Sequence, residues 1–500
     1  MKLKGRVFGA ALALLLVFLA LPLRPVAAAG SRIYAFVETN SANNATNALA
    51  AHWYTALTVQ NLVTSGPATI NMTFYPGGGA APIVFTPASK LAAGAGASYN
   101  LANIPGVAAG FKGAVMLTAD LPISVTVVKF TPNGIAGRNL RLISNGFASD
   151  DASSTFLIPS MLNSAFNTVT EIGIINTESD TAEATVSFYA TGALTPALTK
   201  QYTIRTNEAQ YIRADTVGLP TGFNGSATVT VVNTITLSAG KAVASSSEYN
   251  TNSPLGSSVE APRNATNTVF MPTALCNLSG PSTATSAYAI QNGDTTNAEV
   301  TVRFISRAGQ IVAAGPYTIA PGGKRTVNAC IDGGLPNNFN GSAVITSTGG
   351  KIVAIGKVFN EGLSTAFLGA TAGAEKIALP YIRYGSDTDF AAGTRQRTFI
   401  AIQNIGASAV DVDVSYRDNT GTEVKKVTLS VPGNGGKVNT NPQLAGALDA
   451  QGSFGEKNGV FGGSVLITGP SGSQLVAIVR VHSGVGSNAT GEDYSGIPVQ

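Results

Sequence analysis

The sequence predicts an all-β chain of four tandem two-sheet sandwich modules. Three observations predict it: a recurrent set of landmarks in register, short runs of period-two alternation, and no useful run with helical periodicity. The landmarks come first. Phe111-Lys112-Gly113-Ala114, Phe223-Asn224-Gly225-Ser226, Phe339-Asn340-Gly341-Ser342 and Phe461-Gly462-Gly463-Ser464 recur at 112, 116 and 122 residues. An Asn closes an apolar stretch at Asn61, Asn176, Asn292 and Asn404, and an aromatic follows at Phe74, Phe188, Phe304 and Tyr416, 13, 12, 12 and 12 residues later. A fixed period of this size marks a repeated structural unit. The boundaries read as 30–151, 152–265, 266–374 and 375–500.

Within one copy the pattern is that of strands. In the second, seven short runs lie between Phe156 and Ala244, separated by Gly, Asn, Asp, Pro and Ser clusters. In the fourth, Val410-Asp411-Val412-Asp413-Val414-Ser415-Tyr416 alternates strictly, which puts one face in a core and the other in water. Regular short strands with turn signals between them predict a sandwich or barrel. The signature Phe reads as a core anchor. Its Gly supplies either positive φ or a close backbone approach, and the small residue after it lets the next strand start against a neighbour. Linkers between copies are short, so the modules are expected to stand in a semi-rigid row.

Residues 1–29 read as a secretory signal: Lys2, Lys4 and Arg6, an apolar run from Val7 to Leu21, then Ala27 and Ala29 placed as a cleavage site. No later run of 18 apolar residues is present, so no membrane span is expected in the mature protein. Four of the 31 basic residues fall in this segment, leaving 27 bases against 27 acids. That balance gives no electrostatic footing for nucleic acid. Charged residues are only 12% of the chain, with 44% hydrophobic. Cys276 and Cys330, the only two cysteines, fall in one module and are candidates for a disulfide in an oxidising compartment.

These features resemble the secreted immunoglobulin-like repeat modules of bacterial surface proteins, the cell-adhesion-related bacterial domains among them. The Asn-ended strand, the Phe or Tyr strand, the turn glycines Gly192, Gly309 and Gly421, and the approaches Ala320-Pro321-Gly322 and Val431-Pro432-Gly433 carry the resemblance over nearly the whole mature chain. It implies an extracellular, multi-module, non-catalytic protein and transfers no binding residues.

Chemistry is sparse. His52 and His482 are the only histidines and lie in different modules, so no catalytic residue, cofactor site or metal site is assigned and no enzyme is expected. Calcium has only loop acids without a motif, Asp387 with Asp389 and Asp150 with Asp151. The single Trp53 reads as core mass, its alternative being a terminal binding patch. The closing Ser495-Gly496-Ile497-Pro498-Val499 resembles the opening strands; it either completes the fourth module or adds to a sheet edge of the next molecule. The function expected is a secreted structural or adhesive surface component, with cell-surface or extracellular-matrix partners or further copies of itself. The alternative is a glycan- or ligand-binding protein acting through the first module.

Overall fold

Antiparallel strands account for nearly all the regular structure of the computed structural model, which describes residues 31–39, 47–131, 140–279, 283–360, 363–386, 395–454, 462–484 and 490–499. Among these residues there is no α-helix, and none is long and apolar enough to cross a membrane. Residues 1–29, which read as a secretory signal, and Asp387, Asp389 and Phe461 lie outside the described residues.

Each sequence repeat supplies eight strands to two layers, and the first and fourth add a short ninth, Phe147–Ala148 and Ile497–Pro498. In the third, one sheet runs Thr268–Cys276, Phe339–Gly349, Ala298–Ser306, Ile311–Ile319. The other runs Lys324–Asn328, Thr285–Asn292, Ile352–Asn360, Leu363–Leu368. Counted along the repeat, the layers are thus 4-3-6-1 and 5-2-7-8, and the other three repeats keep these neighbours. In the second repeat a hairpin between the first and second strands, Thr155–Ala165 and Thr168–Asn176, joins both layers into one continuous sheet. Antibody domains share the central 2–5 and 3–6 pairs but place strand one beside two and seven beside six. Here those two edge partners are exchanged.

The landmarks explain the core. Phe74, Phe188, Phe304 and Tyr416 are fully buried between the layers. Phe111, Phe223 and Phe339 lie over their signature glycines, and a Cβ on Gly113, Gly225 or Gly341 would come within 2.1, 2.0 or 2.1 Å of the carbonyl oxygen of Tyr75, Tyr189 or Ile305. The glycine therefore serves close approach, not positive φ. In the fourth repeat Phe454 holds this place: its ring lies over Gly463 and edge-on to Tyr416 at 5.9 Å, as Phe111 does to Phe74 at 6.2 Å.

The landmark Asn is a loop lock. The amide of Asn404 donates to the carbonyls of Ser408 (2.7 Å) and Val431 (3.2 Å), and its oxygen accepts from Gly406 N–H (2.9 Å). Asn61, Asn176 and Asn292 make the same three bonds at their own positions. Asn404 is wholly buried, so Asn404→Ala leaves the buried Val431 carbonyl without this donor and unlocks the loop at Gly406 and Ser408. A loss of roughly 2–4 kcal/mol is expected in denaturant unfolding.

Cys276 and Cys330 are joined as a disulfide with Cα atoms 5.0 Å apart. Their 54-residue separation corresponds to about 4 kcal/mol of chain-entropy restriction in the unfolded state.

The repeats do not form a row. Their eighth strands, Arg141–Asn145, Gly256–Glu260, Leu363–Leu368 and Thr490–Ser495, pack on one another in cyclic order, the fourth against the first. Short linkers fix the distance between neighbours but not their angle. Side chains at the junctions set the angle, and it closes the chain into a ring. Each repeat then returns to its own first strand: Phe147–Ala148 pairs with Ile33 and Tyr34, and Ile497–Pro498 pairs with Ile377 and Ala378. The chain end thus completes its own sheet, the simpler of its two expected uses.

Candidate functional site

The junctions are built from two positions that recur in the sequence, the residue before the landmark Asn and the residue after the signature Gly. Gln291 donates its amide to Ala227 O (3.1 Å) in the preceding repeat and to Gly322 O (3.1 Å), and Ser226 donates to the same Gly322 O (2.7 Å). One junction further on, Gln403 donates to Ala343 O (3.3 Å) and Gly435 O (3.0 Å), and Ser342 donates to Gly435 O (2.5 Å). Between the last and first repeats Gln60 donates to Ser464 Oγ at 2.8 Å. At the remaining junction both partners change together: Ala114 stands for the serine and Ile175 for the glutamine, in an apolar cluster with Tyr34, Phe36, Phe147 and Val243. Three polar pairs and one apolar pair thus close the ring by a single rule.

This first–second junction also carries charge. Lys112 pairs with Glu171 at 2.7 Å and Lys129 with Glu38 at 3.0 Å. Burial alone would raise the Glu38 pKa, but Lys129 and Lys112 hold it below the usual carboxylate range. Gly173 leaves space for the Phe36 ring, whose nearest carbon would lie 2.7 Å from a Cβ there.

The eighth strands form the hub. Leu142 fills the space beside Gly256, and Leu363 the space beside Gly491. Four equivalent backbone bonds, Gly146 N to Val125 O, Ala261 N to Ala244 O, Gly369 N to Ala354 O and Gly496 N to Ala477 O, bring the residues before them, Asn145, Glu260, Leu368 and Ser495, around a central cavity of about 260 Å³. Glu260 accepts from Asn145 N–H, and Asn145 donates its amide to Ser495 O at 2.8 Å. Burial raises the Glu260 pKa against the pull of that N–H. Asp151 spans the rim to Arg263 at 2.5 Å, so it is committed to a pair that joins the first linker to the second.

Elsewhere in the hub Asp493 forms a two-point pair with Arg480 (2.7 and 2.6 Å) and accepts from Thr365 of the third repeat (2.7 Å). Its neighbour Glu492 is 2% exposed, and burial raises its pKa to about 8, with Arg141 pulling it down, Asp493 pushing it up and Arg383 pulling it down. The folded state therefore holds a proton on Glu492 that the unfolded chain releases near the ordinary glutamate value of about 4.5. Between these two values the folded state binds more protons, so this group lowers stability as pH rises from about 4.5 to about 8. Glu492→Gln removes the dependence. The variant's denaturation midpoint should gain on the wild type from pH 5 to about pH 8 and level off above it, and the comparison cancels titrating groups that do not interact with Glu492.

Of the residues singled out from the sequence, Trp53 is 4% exposed and packs against Tyr249 of the second repeat, ring centroids 5.7 Å apart. It offers no exposed platform. His52 and His482 remain in separate repeats, and no cluster of three or more His, Cys, Asp or Glu suited to a metal occurs among the described residues. What the sequence reading passed over was the junction code. Its signal was present: Gln precedes three of the four Asn landmarks, and Ser follows three of the four signature glycines. No family model and no curated protein sequence matches this chain.

Proposed function

We propose that this is an exported, non-enzymatic structural or adhesive protein of the cell surface, four immunoglobulin-like sandwiches closed into a ring. The resemblance to immunoglobulin domains is one of architecture and of the central strand pairs. The observation that carries the reading is the use of the chemically capable side chains at junctions and hub: between repeats Lys112 pairs with Glu171, Lys357 with Glu248, Gln60 with Ser464, Arg141 with Ser483 and Thr365 with Asp493. The disulfide fits an oxidising compartment. A ring of sheets presents outward edges and loops to cell-surface or matrix components, with near-balanced charge limiting repulsion between neighbours.

The test is expression of the full chain with a C-terminal tag in a bacterial host, followed by fractionation and N-terminal sequencing. Protein in the surface or medium fraction beginning at Gly30 supports the reading. Protein retained in the cytoplasm with residues 1–29 attached contradicts it.

A further inference from the structure

A second cavity, about 210 Å³, lies between the third and fourth repeats. Leu275 of the third repeat and Phe399, Ala401 and Ile478 of the fourth give it apolar walls.

Its polar lining is unbalanced. Lys437 is 5% exposed, and among the described residues its ammonium makes neither hydrogen bond nor ion pair. Burial brings its pKa down to about 7, and the charges acting on it, Arg480 and Arg307, are both positive. Arg480 already has its carboxylate in Asp493, which is spent on that pair and on Thr365. The equivalent lysine of the third repeat, Lys324, is likewise brought to about 7 by burial and by Lys357, but there Glu248 opposes them. Lys437 has no such acid. Across the cavity wall Asn340 holds a buried side-chain oxygen that accepts no hydrogen bond. A buried cation without a partner is costly, and an anionic ligand would relieve it; the Asn340 oxygen takes no part, since a carboxylate has no proton to donate.

We propose that this junction cavity binds a small organic carboxylate with a compact apolar body, the carboxylate on Lys437 and the apolar part against Phe399, Ala401 and Ile478. The inference goes beyond the structural reading and stands or falls separately from it.

Benzoate is the probe, with benzamide as its neutral isostere and inorganic phosphate as an anion without an apolar body. In calorimetric titration of the mature protein at pH 6.5, benzoate should bind at one site and raise the melting temperature. Benzamide and phosphate should do neither at the same concentration. Lys437→Met should weaken benzoate at least tenfold. Ala401→Phe keeps the charge while filling the space, and should abolish binding. On the wild type itself, benzoate should protect Lys437 from amine acylation read by mass spectrometry, which keeps the test decisive should either variant not fold. Equal binding of benzamide, equal binding of phosphate, or unchanged acylation of Lys437 with benzoate present would each overturn the assignment.

Discussion

Gly341→Ala is expected to unfold the third repeat or cost roughly 3 kcal/mol or more, the upper part of the range for overpacking a core. The added Cβ would stand 2.1 Å from the Ile305 carbonyl oxygen and 2.7 Å from a ring carbon of Phe339. A side chain could turn away, but Ile305 lies in the third strand of its sheet and is paired through Ser342 and Ile311. Relief then requires strand separation or displacement of Phe339 from the core. Loss of near-ultraviolet dichroism with a lowered calorimetric transition is the expected result; a melting temperature unchanged from the wild type would contradict the close approach.

The second large effect lies at the closing junction, where Gln60 and Ser464 are 404 residues apart in sequence yet 2.8 Å apart in space. Ser464→Ala leaves the Gln60 amide, 2% exposed, without its partner, a loss of roughly 1–3 kcal/mol. The double variant Gln60→Ile, Ser464→Ala copies Ile175 and Ala114 from the first–second junction. It should recover most of that loss, giving a coupling energy of about 1 kcal/mol or more. Residues in an open row would be far apart, and their effects would simply add.

Most of one repeat was legible in the sequence. Short apolar runs split by turn residues marked seven strands of the second repeat, and Ala182–Ala190 among them alternates as a half-buried strand should. The eighth strand escaped. Gly256-Ser257-Ser258-Val259-Glu260 and Thr490-Gly491-Glu492-Asp493-Tyr494-Ser495 bury both faces, one on their own sheet and one on the neighbouring repeats. These strands are polar and nearly wholly buried, with Asp493 held by Arg480 and Thr365, so no alternation appears. The expected row failed because linker length was the only sign of arrangement considered. The arrangement was written instead in Gln60, Gln291 and Gln403 set one repeat out of step with Ser226, Ser342 and Ser464. Phe454 could not be found from the period at all, since it reaches Gly463 from outside the repeated signature.

Small-angle X-ray scattering of residues 30–500 tests closure of the ring most directly. Compact packing of about 470 residues predicts a radius of gyration of about 23 Å. An open row of four units of this size would give roughly 40 Å, and that result would contradict the ring.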